Sequence, residues 1–428
     1  MAIEAQPIAI LGASKRRNTT KRQPVPSPTR RAMTRDMLGG WDSVRSYRRP
    51  AIAVPAIAVC LSLMPIIAPA PPAYADTGEA TMPRAIPLSE RDATALKHIK
   101  FCGAFIAQGA LDQAITECSD AIALNPQDSI TALAYFNRGV AYGNQQNWRH
   151  AITDYTKSIA LNPDDADAYH NRCFAYNSQG DYSHAIKDCS IALTLDPRYV
   201  TAYNNLGFAY RLRGDYAKAI QQYTIALGLE PDRRLQSVAY RNRAASYYLY
   251  GDYHAAIEDY DSLLALSPDD KEAYNLRGFT YITRGMRRPE NDNDSSDDYA
   301  SAIRDHSRAI ALDSAYADAY RNRGVAYHQQ GKYGDAIQDY NRALTLNPQD
   351  ALAYSNRGFS HYKQGALISA IEDYTRAIAL DDDNALTYYN RAIAYYEHGD
   401  KGKAQADLTR AAQLGDSHAL DMLERLDF

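Results

Sequence analysis

The chain repeats itself every 34 residues, and that period limits what it can fold into more than any other feature. ALAYFNRGVAYGNQQNWRHAITDYTKSIALNPDD (132–165) is followed at once by ADAYHNRCFAYNSQGDYSHAIKDCSIALTLDPRY (166–199). Further copies run at 200–233, 237–270, 271–316, 317–350, 351–384 and 385–418, and a divergent first copy at 95–128 makes nine. Short insertions fall at 129–131 and 234–236, and a longer one lies inside 271–316. A unit this short cannot bury its apolar face alone, so neighbours must stack into a solenoid with a continuous core.

Within a copy, numbered 1 to 34, apolar and small residues recur at helical steps. Tyr320, Gly324 and Tyr327 make one face; Ala336, Tyr340 and Ala343 make another. Gly331 between them breaks the helix, and Pro348 after Asn347 stops the second one. The unit is therefore an antiparallel helix pair. Position 8 is always small (Gly139, Cys173, Gly207, Ala244, Gly278, Gly324, Gly358, Ala392), which lets the two helices approach. The chain holds 34 tyrosines and only 2 tryptophans, a bias that one refilled position explains. The tyrosines at positions 4 and 11 are expected to fill the core.

These positions resemble the tetratricopeptide repeat (TPR) family, of the exported bacterial kind. The likeness rests on the length of 34 and on the aromatic, Gly/Ala, Tyr, Ala, Tyr, Ala and Pro positions over residues 95–418. It implies an all-α fold, a right-handed superhelical solenoid of about nine TPR helix-turn-helix repeats, with a concave groove lined by the first helices. Position 32 departs from proline at Ser314, Asp382 and Asp416. Residues 419–428 are expected to form a C-terminal capping helix. The segment 286–298, MRRPENDNDSSDD, is acidic and lacks large apolar residues, so it is expected to be a mobile loop. Asp292, Asp294 and Ser296 imitate the start of a calcium loop, but no glycine follows and the twelfth position is Ile303 instead of Glu.

Four of the five cysteines share one spacing. Cys102 and Cys173 occupy position 8, and Cys118 and Cys189 position 24. In a hairpin turning near position 15 or 16, positions 8 and 24 face each other. Helix axes packed ~8–10 Å apart, with each Cα about 2.3 Å off its axis, bring such Cα atoms to ~5–6 Å, which suits a disulfide. Two matched pairs favour the disulfides Cys102–Cys118 and Cys173–Cys189 over small buried thiols. No CxxC redox motif accompanies them.

Position 7, usually leucine in the family, is mostly arginine here, and position 23 is mostly aspartate. The pairs are Arg138/Asp154, Arg172/Asp188, Arg243/Asp259, Arg277/Asp305, Arg323/Asp339, Arg357/Asp373 and Arg391/Asp407. Both charges vanish together in the fourth copy, at Leu206/Gln222, while the first copy breaks the rule with Phe101 opposite Glu117. These are read as salt bridges within a repeat. Duplication of one ancestral pair would preserve the pattern as well.

Position 6 is asparagine in seven copies: Asn137, Asn171, Asn205, Asn242, Asn322, Asn356 and Asn390. Asparagine is a mediocre helix former, and its amide both donates and accepts, as a peptide backbone does. The resemblance implies that position 6 faces the groove, where an asparagine ladder holds an extended peptide in some members. An inter-helix hydrogen bond or plain inheritance explains the row equally well. Leu276 interrupts it. Position 9 adds an apolar strip, with Phe174, Phe208, Phe279 and Phe359 as its large members beside Val140, Ala245, Val325 and Ile393. The family's carboxylate-clamp lysines are absent from positions 2 and 5; Arg241 and Arg321 at position 5 come nearest.

Ahead of the repeats, 51–69 is largely apolar, follows Arg48 and Arg49, and leads to Ala73-Tyr74-Ala75. That order is the signature of a secretory signal, 1–75, cleaved after Ala75 and started at Met33 or Met37 if its basic region is of ordinary length. Residues 76–94 then form a linker. A membrane anchor at 51–69 is the alternative, weakened by Pro55 and Pro65. Lipid attachment at Cys60 is disfavoured by Val59, and twin-arginine export by Pro50 and Ala51. Residues 1–75 carry 11 Lys/Arg and 3 acids; the rest carries 36 bases and 48 acids, a balance that argues against nucleic acid. No HExxH, GxSxG, P-loop or GxGxxG motif is present, and the 10 histidines are scattered over the repeat positions. The expectation is a non-catalytic protein-interaction scaffold that is periplasmic or secreted. It would take a protein or peptide partner, with no cofactor, metal, nucleic acid or small-molecule substrate. A membrane-anchored accessory subunit of an envelope assembly is the alternative.

Overall fold

The computed structural model describes residues 89–288 and 294–425, and among these it contains nineteen α-helices and no strand. The signal 1–75, the anchor reading of 51–69, Cys60 and the linker up to residue 88 lie outside the described residues. Each repeat is a helix pair, as in Ala166–Gln179 with Tyr182–Leu195, or Ala317–Gln329 with Tyr333–Leu346. A last helix, Ser417–Arg425, packs on the second helix of the ninth repeat.

Local chemistry sets the helix ends. Gly180, Gly214, Gly251 and Gly399 close first helices in the left-handed conformation, which glycine adopts without penalty. In the second repeat Gln146 takes that corner at φ 60°. Position 34 starts the next copy: Asp165, Asp350 and Asn384 accept hydrogen bonds from backbone amides of the following helix. The two short insertions become extra helical residues, in Asp128–Asn144 and Arg233–Tyr250. Both follow a left-handed residue at position 31, Asn125 at φ 48° and Glu230 at φ 52°. The same position is extended before the other repeats, as at Asn162 and Asn347.

The segment 286–298 is not a loop throughout. The helix Lys271–Arg287 enters it from one side and Asp294–Leu312 from the other. Asp294 and Asp297 sit in that second helix's first turn, where acids are favoured by the helix dipole.

The tyrosines also need correction. Those at positions 4 and 11 are half-buried instead of core. The fully buried rings stand at position 24: Tyr155, Tyr223, Tyr260, Tyr340 and Tyr374 are each at most 1% exposed. They lie against position 8. A β-carbon added to Gly139, Gly207 or Gly324 would meet its ring at 2.7–2.8 Å.

The chain forms two compact units that part within Lys271–Arg287, one ending at Thr280 and the other beginning at Tyr281. In each unit, first helices of adjacent repeats touch one another, whereas second helices of adjacent repeats approach less. Each unit therefore curves toward its first helices, which line the inner side.

Candidate functional site

Position 7 binds three helices together. Arg138 donates through Nε and Nη2 to the Asp154 carboxylate at 2.7 and 2.9 Å, and through Nη1 to Ser119 Oγ of the preceding repeat at 2.9 Å. The arrangement recurs. Arg172 joins Asp188 and Thr156, Arg243 joins Asp259 and Thr224, and Arg323 joins Asp339 and Ser307. Arg357 joins Asp373 and Asn341, and Arg391 joins Asp407 and Thr375. Arg277 reaches Asp261 at 2.5 Å, and Asp305 is 6% exposed. Each guanidinium also stacks on its position-4 tyrosine, 5.3–5.7 Å from the ring centre. The partner aspartates are nearly buried, and their bonds hold the guanidinium pKa of Arg138 and Arg323 above the usual arginine value. Burial pushes the Asp259 carboxyl upward. In the first copy, Glu117 meets His98 at 2.7 Å, and Phe101 is exposed.

The sulfurs of Cys102 and Cys118 are 2.19 Å apart and those of Cys173 and Cys189 2.06 Å, both at disulfide distance. Their Cα atoms stand 5.5 Å apart. They occupy the same two places that a glycine and a buried tyrosine hold in four other copies, Gly139/Tyr155, Gly207/Tyr223, Gly324/Tyr340 and Gly358/Tyr374.

The asparagine row is not displayed to solvent. Asn137, Asn171, Asn205, Asn242, Asn322, Asn356 and Asn390 are each at most 3% exposed. Phe208, Phe279 and Phe359 are buried too, and only Phe174 is half-buried. An open ladder at positions 6 and 9 is therefore corrected. Inward curvature presses neighbouring first helices together and closes the seam over both rows. Within it, Asn171 Nδ2 donates to Asp167 O at 2.9 Å and Asn177 Nδ2 to Asn205 O at 3.0 Å. Among the described residues, the amide oxygens of Asn137, Asn171, Asn205 and Asn390 meet no hydrogen-bond partner.

Sequence reasoning missed a second set of contacts. Arg241 pairs with Asp270, and Arg321 with Asp350, the aspartates that cap the next repeat's first helix. The two arginines nearest to a clamp thus hold repeats together, and their shared separation of 29 residues was the available signal. In the third repeat His170 at position 5 contacts Tyr199 Oη at 3.1 Å and Asn205 Nδ2 at 2.9 Å, while Tyr199 donates to Asp167. Burial lowers the His170 pKa to about 4. Among the described residues no His/Cys/Asp/Glu group has the geometry to hold a metal ion. No described helix is long and apolar enough to cross a membrane.

Family models described as tetratricopeptide repeat match residues 132–165, 166–199 and 198–269, and one described as TPR repeat matches 295–331, 326–365 and 361–399. Together they cover more than half of the chain. No curated protein matches it in sequence. Among solved structures, a tetratricopeptide repeat protein from Parabacteroides merdae is 21% identical with a TM-score of 0.49, over 60% of this chain and 97% of that one. YrrB, described as a TPR protein with an unusual peptide-binding site, is 23% identical with a TM-score of 0.39, over 46% and 95%. MamA is 26% identical with a TM-score of 0.36, over 44% and 93%.

Proposed function

The chain belongs to the tetratricopeptide repeat family, and from that premise we propose that it is a non-catalytic scaffold that holds an extended peptide along its first helices. The observation behind this is the row of unsatisfied amide oxygens at Asn137, Asn171, Asn205 and Asn390. A buried acceptor without a donor costs about 1–3 kcal/mol, and natural proteins keep few of them without a reason. Here four stand at one repeat position. Within the unit that ends at Thr280, a peptide lying along the seam would supply backbone N–H groups to Asn137, Asn171 and Asn205 once adjacent first helices part slightly, with the half-buried Phe174 as an apolar contact beside them, and a peptide on the other unit would reach Asn390 in the same way.

The same scaffold works outside the cytoplasm in this proposal. Two cysteine pairs at disulfide distance suit an oxidising compartment. N-terminal sequencing of the purified chain tests export: Asp76 is the expected first residue, and an uncleaved start would favour an anchored accessory subunit.

Peptide binding is tested with Asn137→Ala and Asn390→Ala against peptides selected from a random display library on the full chain. Removing an unsatisfied amide should leave stability unchanged or raised while weakening peptide binding several-fold. Lower stability with unchanged affinity would make the asparagines structural and sink the proposal.

A further inference from the structure

A second feature lies on the second helices of the unit that begins at Tyr281. Position 26 is arginine in all four of its repeats: Arg308, Arg342, Arg376 and Arg410, each 34 residues from the next. Upstream the same position holds Asp120, Lys157, Ile191, Ile225 and Ser262, so no such row exists there. Arg308, Arg342 and Arg376 are exposed, and Arg410 is half-buried. Arg342 and Arg376 differ from the arginines at position 7, which are matched by their own aspartates. Among the described residues no acid pairs with Arg342 or Arg376, and Arg410 reaches Asp383 only at 3.8 Å.

The row belongs to a continuous strip. Arg342 and Arg323 both lie over Tyr320, 5.9 and 5.6 Å from the ring centre, and Arg323 reaches Ser307, the residue before Arg308. Arg410 and Arg391 lie over Tyr388 at 5.9 and 5.6 Å, and Arg391 reaches Thr375, the residue before Arg376. Arg357 lies over Tyr354 and reaches Asn341, the residue before Arg342. Arginine and half-buried tyrosine thus alternate across successive repeats. Once Asp339, Asp373 and Asp407 have neutralised the position-7 charges, Arg342 and Arg376 supply the surplus.

The geometry points to this strip as a docking surface for an extended acidic polypeptide. Successive arginines of the row stand on second helices with a first helix packed between them, so with neighbouring helices roughly 10 Å apart they lie at most about 20 Å from one another, and an extended chain advancing about 3.3 Å per residue would bring carboxylates no more than about six residues apart to them. Guanidinium pairs with carboxylate bidentately, and the intervening rings give apolar contact. Residues 281–428 carry 17 Lys/Arg against 23 Asp/Glu, so the unit is acidic as a whole. The attraction is therefore local to the strip, which suits a short acidic segment better than nucleic acid, whose binding needs a broad basic footprint. This face is separate from the asparagine seam, so either can fail without the other.

Fluorescence anisotropy on the full chain tests the assignment. The probe is a labelled twelve-residue Gly/Ser peptide with glutamate at every third position; the controls are its lysine counterpart and a single-stranded DNA of twelve nucleotides. The glutamate peptide should bind saturably and weaken as salt is raised. Arg342→Gln/Arg376→Gln should bind it about tenfold less tightly with an unchanged circular dichroism spectrum. Lys187→Gln/Lys218→Gln, exposed on the other unit, should match the unaltered chain. Equal binding by Arg342→Gln/Arg376→Gln, no binding by the unaltered chain, or tighter binding of the DNA or the lysine peptide would overturn the assignment.

Discussion

Tyr223 lies against Gly207 so closely that a β-carbon on the glycine would meet the ring at 2.8 Å. Gly139 and Tyr155 repeat the contact at 2.7 Å, and Gly324 and Tyr340 at 2.8 Å. Cys173 and Cys189 hold those two repeat positions in the neighbouring copy, with their sulfurs at bonding distance. In these copies one place in the hairpin is thus closed either by a buried ring on bare backbone or by a pair of sulfurs.

Gly207→Ala should destabilise the chain by about 1–2 kcal/mol, because overpacking against a fixed ring outweighs alanine's better helix propensity. Urea denaturation midpoints measure this. Ala244→Gly, at the same position opposite Tyr260, should cost less than about 1 kcal/mol, the propensity term alone.

All four paired cysteines should resist a thiol reagent in the folded chain until a reductant is added. Cys173→Ala/Cys189→Ala should lose about 3 kcal/mol through the freed loop and the vacated volume. Cys173→Gly/Cys189→Tyr, which rebuilds the ring-on-glycine contact, should recover most of it. Four titratable thiols in the untreated folded protein would refute the bridges.

Arg172→Leu should cost roughly 2–4 kcal/mol, because it strands Asp188, which is only 3% exposed. Adding Asp188→Gln should restore most of that stability, since Leu206 and Gln222 already coexist at these positions one repeat on. A double-mutant cycle by urea denaturation checks it, and additive losses would show that the two side chains are uncoupled.

Acid should weaken the unit that begins at Tyr281 through two buried histidines. Burial lowers His306 and His328 from 6.5 to about 3. The unfolded chain therefore takes up protons that the folded one refuses. Stability is full above 6.5 and falls as pH drops from there toward 3, by about 1.4 kcal/mol per unit for each histidine. His306→Tyr, matching Tyr155, Tyr223, Tyr260, Tyr340 and Tyr374 at the same repeat position, should flatten that slope in urea titrations at pH 7 and 4.5. An unchanged slope would mean His306 is reached by protons without unfolding.

Glu230→Gly should stabilise the chain by about 1 kcal/mol, since a left-handed φ strains any residue with a β-carbon. Its φ of 52° sits where the insertion 234–236 lengthens the next helix. Thermal melting checks the shift.

Much of this is visible in the residues alone. The 34-residue period, the apolar steps at Tyr320, Gly324 and Ala336, and Pro348 after Asn347 define a helix pair, because helical spacing and chain breakers are local properties. The facing of positions 7 and 23, and of 8 and 24, follows from hairpin arithmetic. The roles of Ser119, Thr156 and Asn341 do not, since each receives an arginine from the next repeat.

By itself the sequence determined the repeat, its helices and the contacts inside each hairpin, all set over a few turns of chain. Only the tertiary structure decided which surface stays open. How sharply successive repeats bend depends on the packing between them, and that bend buries Asn137 and Phe359 while leaving Arg342 and Arg376 in water. Exposure is a property of neighbouring repeats together, and no single 34-residue copy contains it.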